Sequence, residues 1–151
     1  MYFEEALESI EETAANNYPR RAHLLRQAFA AHRRGEYGLS IPVFLAQTDG
    51  ICTDVTGGEL FRSSKGRPRT AGCVANVQGE FHKALLSPLD QKIPLNLNKE
   101  DRGVGFGQLN RHMVLHGESL DYDTRTNGLR AVSLINYVVE VFGLDDGQNT
   151  I

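Results

Sequence analysis

Two cysteines, Cys52 and Cys73, are all that this chain of 151 residues contains. Their spacing matches no paired-cysteine metal motif, and a secreted domain held together by disulfides uses more, so reduced thiols in a cytoplasmic protein are expected. No stretch is long and apolar enough to span a bilayer, and the acidic, amphipathic start MYFEEALESIEE has neither the basic beginning nor the apolar run of a secretory leader. Positive charge is also not in excess. A net charge of -3 excludes a strongly basic nucleic-acid coat, while leaving room for local basic patches. Internal repeats, low-complexity tracts and sustained strand-like alternation are absent as well.

What remains is helical periodicity. Phe3, Ala6, Leu7, Ile10 and Ala14 recur at three- and four-residue steps and predict an amphipathic helix over residues 2–16. A second helix follows Pro19, with Leu25, Ala28, Phe29 and His32 as its apolar stripe and Gly35 beyond its end. Residues 37–52 predict a third, mostly buried helix, with Ser40 as N-cap and Pro42 in its first turn. The pattern then dissolves over residues 53–79, rich in Gly, Ser and Arg, which predicts a long insertion loop. GCVANVQ inside it reads as a short strand without a clear partner. A short helix is expected from Glu80 to Leu86, an irregular crossing around Pro88 and Pro94, a helix from Gly105 or Phe106 to Gly117, and a last helix capped by Asp123 or Thr124. In that last helix Leu129, Val132, Ile135, Val139 and Phe142 form a stripe widened by Leu134 and Val138. The expected fold is all-α: one domain over residues 1–151, an up-and-down bundle of five or six helices with the 53–79 insertion.

The chemistry concentrates in LNRHMVLHGESLDYDT, residues 109–124, which holds two of the five histidines. His112 and His116 lie one helical turn apart, the relation that lets two imidazoles grip zinc. The zinc-protease motif also needs a glutamate after the first histidine, where Met113 stands. A third ligand could come from His82, Glu118 or Asp121, and nothing in the sequence selects among them. Arg111 and His116 offer a different chemistry. Five residues apart, they diverge by about 140° around a helix and about 7.5 Å along it. Two copies meeting about a twofold axis would bring two such pairs into one cleft. Histidine can move a proton to or from a ribose hydroxyl or a leaving oxygen, while a guanidinium holds phosphate and stabilises developing charge. No metal or cofactor is required. His116, just before Gly117, also sits where the helix dipole favours imidazolium.

The string RHMVLH, with Arg111, the polar His112 and His116, resembles the arginine, four residues, histidine signature of the HEPN superfamily of small α-helical domains. That resemblance implies a metal-independent endoribonuclease active at a homodimer interface and leaving 2',3'-cyclic phosphate and 5'-hydroxyl ends. The family setting implies a toxin or an abortive-infection, anti-phage effector, opposed by an antitoxin or joined to a larger defence protein. The site residues it implies are Arg111 for phosphate, His116 for acid or base work, and His112 for positioning or proton transfer. The segment NRHMVLHGESLDYDTRTNGLRAVSLINYV also looks like the terminal part of uncharacterised bacterial proteins carrying a related motif. Asn110 is a candidate substrate contact beside the pair. Arg62, Lys65, Arg67 and Arg69 of the insertion are a second candidate, able to track an RNA backbone without reading its sequence. Another basic run, Arg20, Arg21, Arg26, Arg33 and Arg34, belongs to the second helix. The rival expectation is a non-catalytic helical module that dimerises or docks within a larger complex.

Overall fold

The computed structural model describes residues 2–64, 66–76 and 80–143. It is all-α, with seven α-helices among those residues: α1 Tyr2–Asn17, α2 Ala22–Arg33, α3 Tyr37–Thr56, α4 Ala71–Asn76, α5 Glu80–Leu86, α6 Arg111–Leu115 and α7 Arg125–Gly143. A two-residue antiparallel pairing, β1 Ser63–Ser64 with β2 Arg67–Pro68, is the only strand structure described. No described helix is long and apolar enough to cross a membrane. The chain divides into two compact units. One runs up to Ile51 and resumes at Asp123, and the other is Cys52–Tyr122.

The first unit is built by apolar stripes. Leu25, Ala28, Phe29 and His32 of α2 are all buried, as the period predicts. Phe29 meets Phe44 of α3 edge-on at 4.8 Å between ring centres, a geometry that aligns ring edge with ring face. On α7, Val132, Ile135, Val139 and Phe142 are buried together with Val138, and the Thr124 hydroxyl accepts from the Asn127 amide at 3.2 Å to cap the helix. Leu7 and Ala14 of α1 are buried, whereas Ala6 faces solvent. Gly128 allows α7 to come close to α2 and α3, since a β-carbon there would stand 2.8 Å from both His32 Cε1 and Tyr37 Cδ1.

The arginines of α2 are largely spent inside this unit. Arg26 pairs with Glu12 of α1 at 2.9 Å, Arg33 with Glu11 at 2.5 Å, and Arg34 with Glu36 at 2.6 Å. Arg21 donates to the buried Gln47 at 3.0 Å. The basic helix is thus knitted to acidic partners.

Several local expectations need correction. Among the described residues there are seven α-helices, more than the expected five or six, because those within 53–79 are not one loop: α3 continues to Thr56, and β1, β2 and α4 follow. Residues 72–76 of GCVANVQ lie within α4 instead of a strand, and residues 77–78 lie outside the described residues. Ser40 lies fully buried within α3 and does not cap it, and Pro42 stands inside that helix. The motif helix does not begin at Gly105 or Phe106 but at Arg111.

The second unit is held by polar cross-links as much as by its apolar residues. Thr70 donates to the Leu89 carbonyl at 2.5 Å. Asn96, 4% exposed, accepts from the Ile93 amide at 2.8 Å and donates to the Gln91 carbonyl at 3.1 Å. Gly58 is required by close packing, because a β-carbon would meet the Arg69 carbonyl oxygen at 2.6 Å. Cys52 is buried and Cys73 half-buried, both as thiols.

Candidate functional site

A helix of five residues has too few internal hydrogen bonds to persist alone, so α6 must be held at its ends. Asn110 does this at the start. In extended conformation it accepts from the Met113 amide at 3.2 Å, and its own amide donates to the Pro94 and Leu97 carbonyls at 2.8 and 2.9 Å. At 1% exposure the side chain is wholly committed to backbone, which makes it a positioning residue for α6. At the other end Gly117 turns left-handed at φ 71°, a region that favours glycine, and its amide donates to the Val114 carbonyl at 3.3 Å. Ser119 closes the turn by donating to the Met113 carbonyl at 2.9 Å.

Clamped in this way, α6 presents three expected residues together. Arg111 opens the helix, His112 follows, and His116 caps the end. The two imidazoles, one turn apart, stack with ring centres 5.5 Å apart and planes 13° from parallel. Burial, and then the positive charges of Arg111, His116 and Arg102, push His112 below the usual histidine range, while Glu118 opposes the shift. His112 is therefore a neutral proton acceptor at pH 7.

Arg102, which sequence reasoning did not single out, is the missing cation. It follows the 3-10 turn Lys99–Asp101, and its side chain is only 7% exposed. Its Nη2 meets Glu118 Oε2 at 3.3 Å. The Nε atoms of both Arg102 and Arg111 are buried with no hydrogen-bond partner among the described residues. An unsatisfied buried charged donor costs on the order of 1–3 kcal/mol or more, so these atoms mark a place where an acceptor would be welcome. No periodic or motif signal announces Arg102; only the fold brings residue 102 to residue 118.

The metal alternative finds little here. Glu118 is engaged by Arg102, Asp121 accepts from the Ser119 hydroxyl at 3.2 Å, and the side chain of His82 lies outside the described residues. Among the described residues no group of three or more His, Cys, Asp or Glu is placed to hold a metal ion.

The basic cluster of the insertion is arranged differently. Glu59 is shared by Arg62 at 3.1 Å and Arg69 at 2.8 Å, and the hydrogen bond from Arg62, ahead of the other influences, holds its carboxyl below the usual range. Arg67 pairs with Asp90. Lys65 lies outside the described residues. One carboxylate between two guanidiniums leaves a positive charge over, beside an open groove of about 830 Å³ lined by Gly57, Gly58, Arg67, Arg69 and Cys73. The structure thus brings Arg111, His112 and His116 together and engages Arg62, Arg67 and Arg69 with Glu59 and Asp90 instead of with α6.

No family model, curated protein or solved structure matches this chain. The arrangement joins a neutral imidazole, a second imidazole stacked on it and two under-satisfied guanidiniums, groups able to accept a proton and to hold an anion.

Proposed function

We propose that α6 carries the active site of a HEPN-like, metal-independent endoribonuclease, acting as a homodimer and serving as a toxin or an abortive-infection, anti-phage effector. The observation that carries this reading is the stacked His112–His116 pair next to Arg111, whose buried Nε has no acceptor among the described residues. In the reaction, neutral His112 takes the proton from a ribose 2'-hydroxyl as that oxygen attacks the adjacent phosphorus. The bond to the 5' oxygen breaks, and His116 supplies the proton that this oxygen needs to leave. Arg111 holds the phosphate and offsets its developing charge. The products are a 2',3'-cyclic phosphate and a 5'-hydroxyl. A twofold partner would contribute a second set of these side chains, and the groove beside Arg67 and Arg69 offers a backbone track.

A second reading is favoured by a different observation. Val104 and Leu120, in the segments flanking α6, and Leu115 at its end are large apolar side chains at 111%, 89% and 38% exposure. Exposed apolar side chains that join into one patch mark partner surfaces, and these three would serve a non-catalytic module docking within a larger defence protein.

The deciding experiment incubates chelator-treated protein with labelled RNA, alongside His116→Ala shown by circular dichroism to remain helical. The ribonuclease reading expects cleavage by wild type alone, with cyclic phosphate ends and no cutting of matching DNA, which lacks the 2'-hydroxyl. Equal behaviour of the two proteins would overturn it and favour the docking module.

A further inference from the structure

We infer that Arg102 and Arg111 form an oxyanion-binding site for a phosphate group, and that Glu118 is its built-in occupant, which an incoming phosphate displaces from Arg102. The inference refines the site on which the ribonuclease reading rests.

Two orphaned guanidinium nitrogens point to a missing anion, and the local charge balance agrees. The Arg102 side chain is more than nine-tenths buried, yet its Nε has no partner among the described residues and its one described ion-pair partner, Glu118, sits at 3.3 Å, a long contact for a charge-assisted hydrogen bond. Arg111 repeats the pattern on the adjoining helix, with its Nε buried and unpaired. Around His112 the described side-chain charges are Arg102 and Arg111 against Glu118 alone, which leaves one positive charge over when both imidazoles are neutral. A guanidinium presents a planar fork of donors that a carboxylate can fill from one side, whereas a tetrahedral phosphate accepts from several donors at once. Glu118, in contrast with Arg102, is 42% exposed, so it can swing into water when displaced. Its carboxylate then serves as a brake: any phosphate entering the site must outcompete it.

The test measures binding of inorganic phosphate to the full chain by calorimetry, with the imidazole resonances of His112 and His116 as a local readout. Glu118→Gln removes the competing charge from an exposed position and is expected to tighten binding by about fivefold, the size of a partly exposed ion pair. Arg102→Gln is expected to weaken it by about tenfold or more, the worth of hydrogen bonds to a charged group. Tightening in Glu118→Gln with perturbation of both imidazoles supports the site even if Arg102→Gln fails to fold. Phosphate binding unchanged in Glu118→Gln overturns it, as does full-strength binding by a folded Arg102→Gln. The readout is independent of cleavage. Protein that binds phosphate in this way but leaves RNA intact keeps the oxyanion site and loses the ribonuclease reading, and protein that cleaves RNA with phosphate binding indifferent to both residues does the reverse.

Discussion

Helices α7 and α6 are specified in opposite ways. α7 runs 19 residues with a buried stripe that any reading of helical period recovers, and its stability comes from many small apolar contacts spread along its length. α6 has five residues and one buried side chain, Val114. It exists because Asn110 ties its start to two carbonyls 13 and 16 residues away and Gly117 ends it. The contrast holds between the units as well. The first is packed by Leu25, Phe29, Phe44 and Ile135, while the second depends on Thr70, Asn96 and Asn110 to connect short elements. A segment held by a few polar bonds can keep most of its side chains out of the core, which leaves His116 exposed and Arg111 and His112 half-buried.

The largest effect expected from breaking this contrast is in the packed unit. Phe44→Ala removes a fully buried ring in contact with Phe29 and is expected to cost about 3–5 kcal/mol in chemical denaturation. In the polar unit, Asn110→Ala deletes a helix cap and leaves two carbonyls without their donor, an expected loss of about 2–3 kcal/mol. The same change should unstack the two imidazoles, so unaltered His112 and His116 resonances in that variant would show that α6 does not depend on its cap.

The smallest effect separates the histidines of the two units. Burial, then Arg33 and Arg125, push His32 below the usual range, and Tyr37 and Phe44 of α3 pack against its ring. The unfolded chain therefore binds a proton more readily than the folded one. Stability attributable to His32 is intact above its unfolded pKa of about 6.5 and declines as pH falls from there toward its lower folded value. Melting temperatures measured across pH 5–7 should show a shallower acid decline in His32→Phe, if that variant packs, than in wild type; identical slopes would remove His32 from the account.

Periodicity made the first unit legible because its residues are repeated: losing one leaves the stripe readable. Val132, Ile135, Val139 and Phe142 are buried as their spacing predicts. The second unit was legible only at isolated points. Glu80–Leu86 is helical over the expected span, and Gly117 ends α6 as expected. Sequence alone starts α6 too early because the preceding VGFGQL carries apolar residues that imitate a helical stripe, whereas Asn110, an ordinary polar letter, sets the true boundary. Within the site, Arg111, His112 and His116 announce themselves by their spacing. Arg102 does not, since its contact with Glu118 spans 16 residues and depends on how the intervening turns fold.

The central claim is that the α6 histidines transfer protons beside a bound phosphate, and the pH dependence of single-turnover RNA cleavage in chelator tests it most directly. The account predicts an acid limb on which the rate climbs with pH as His112 loses its proton, with its midpoint below the ordinary histidine value of about 6.5, and a rate lower by about 10²–10⁴ in His112→Ala with that limb abolished. No cleavage at any pH, or a profile that His112→Ala leaves in place, would contradict it.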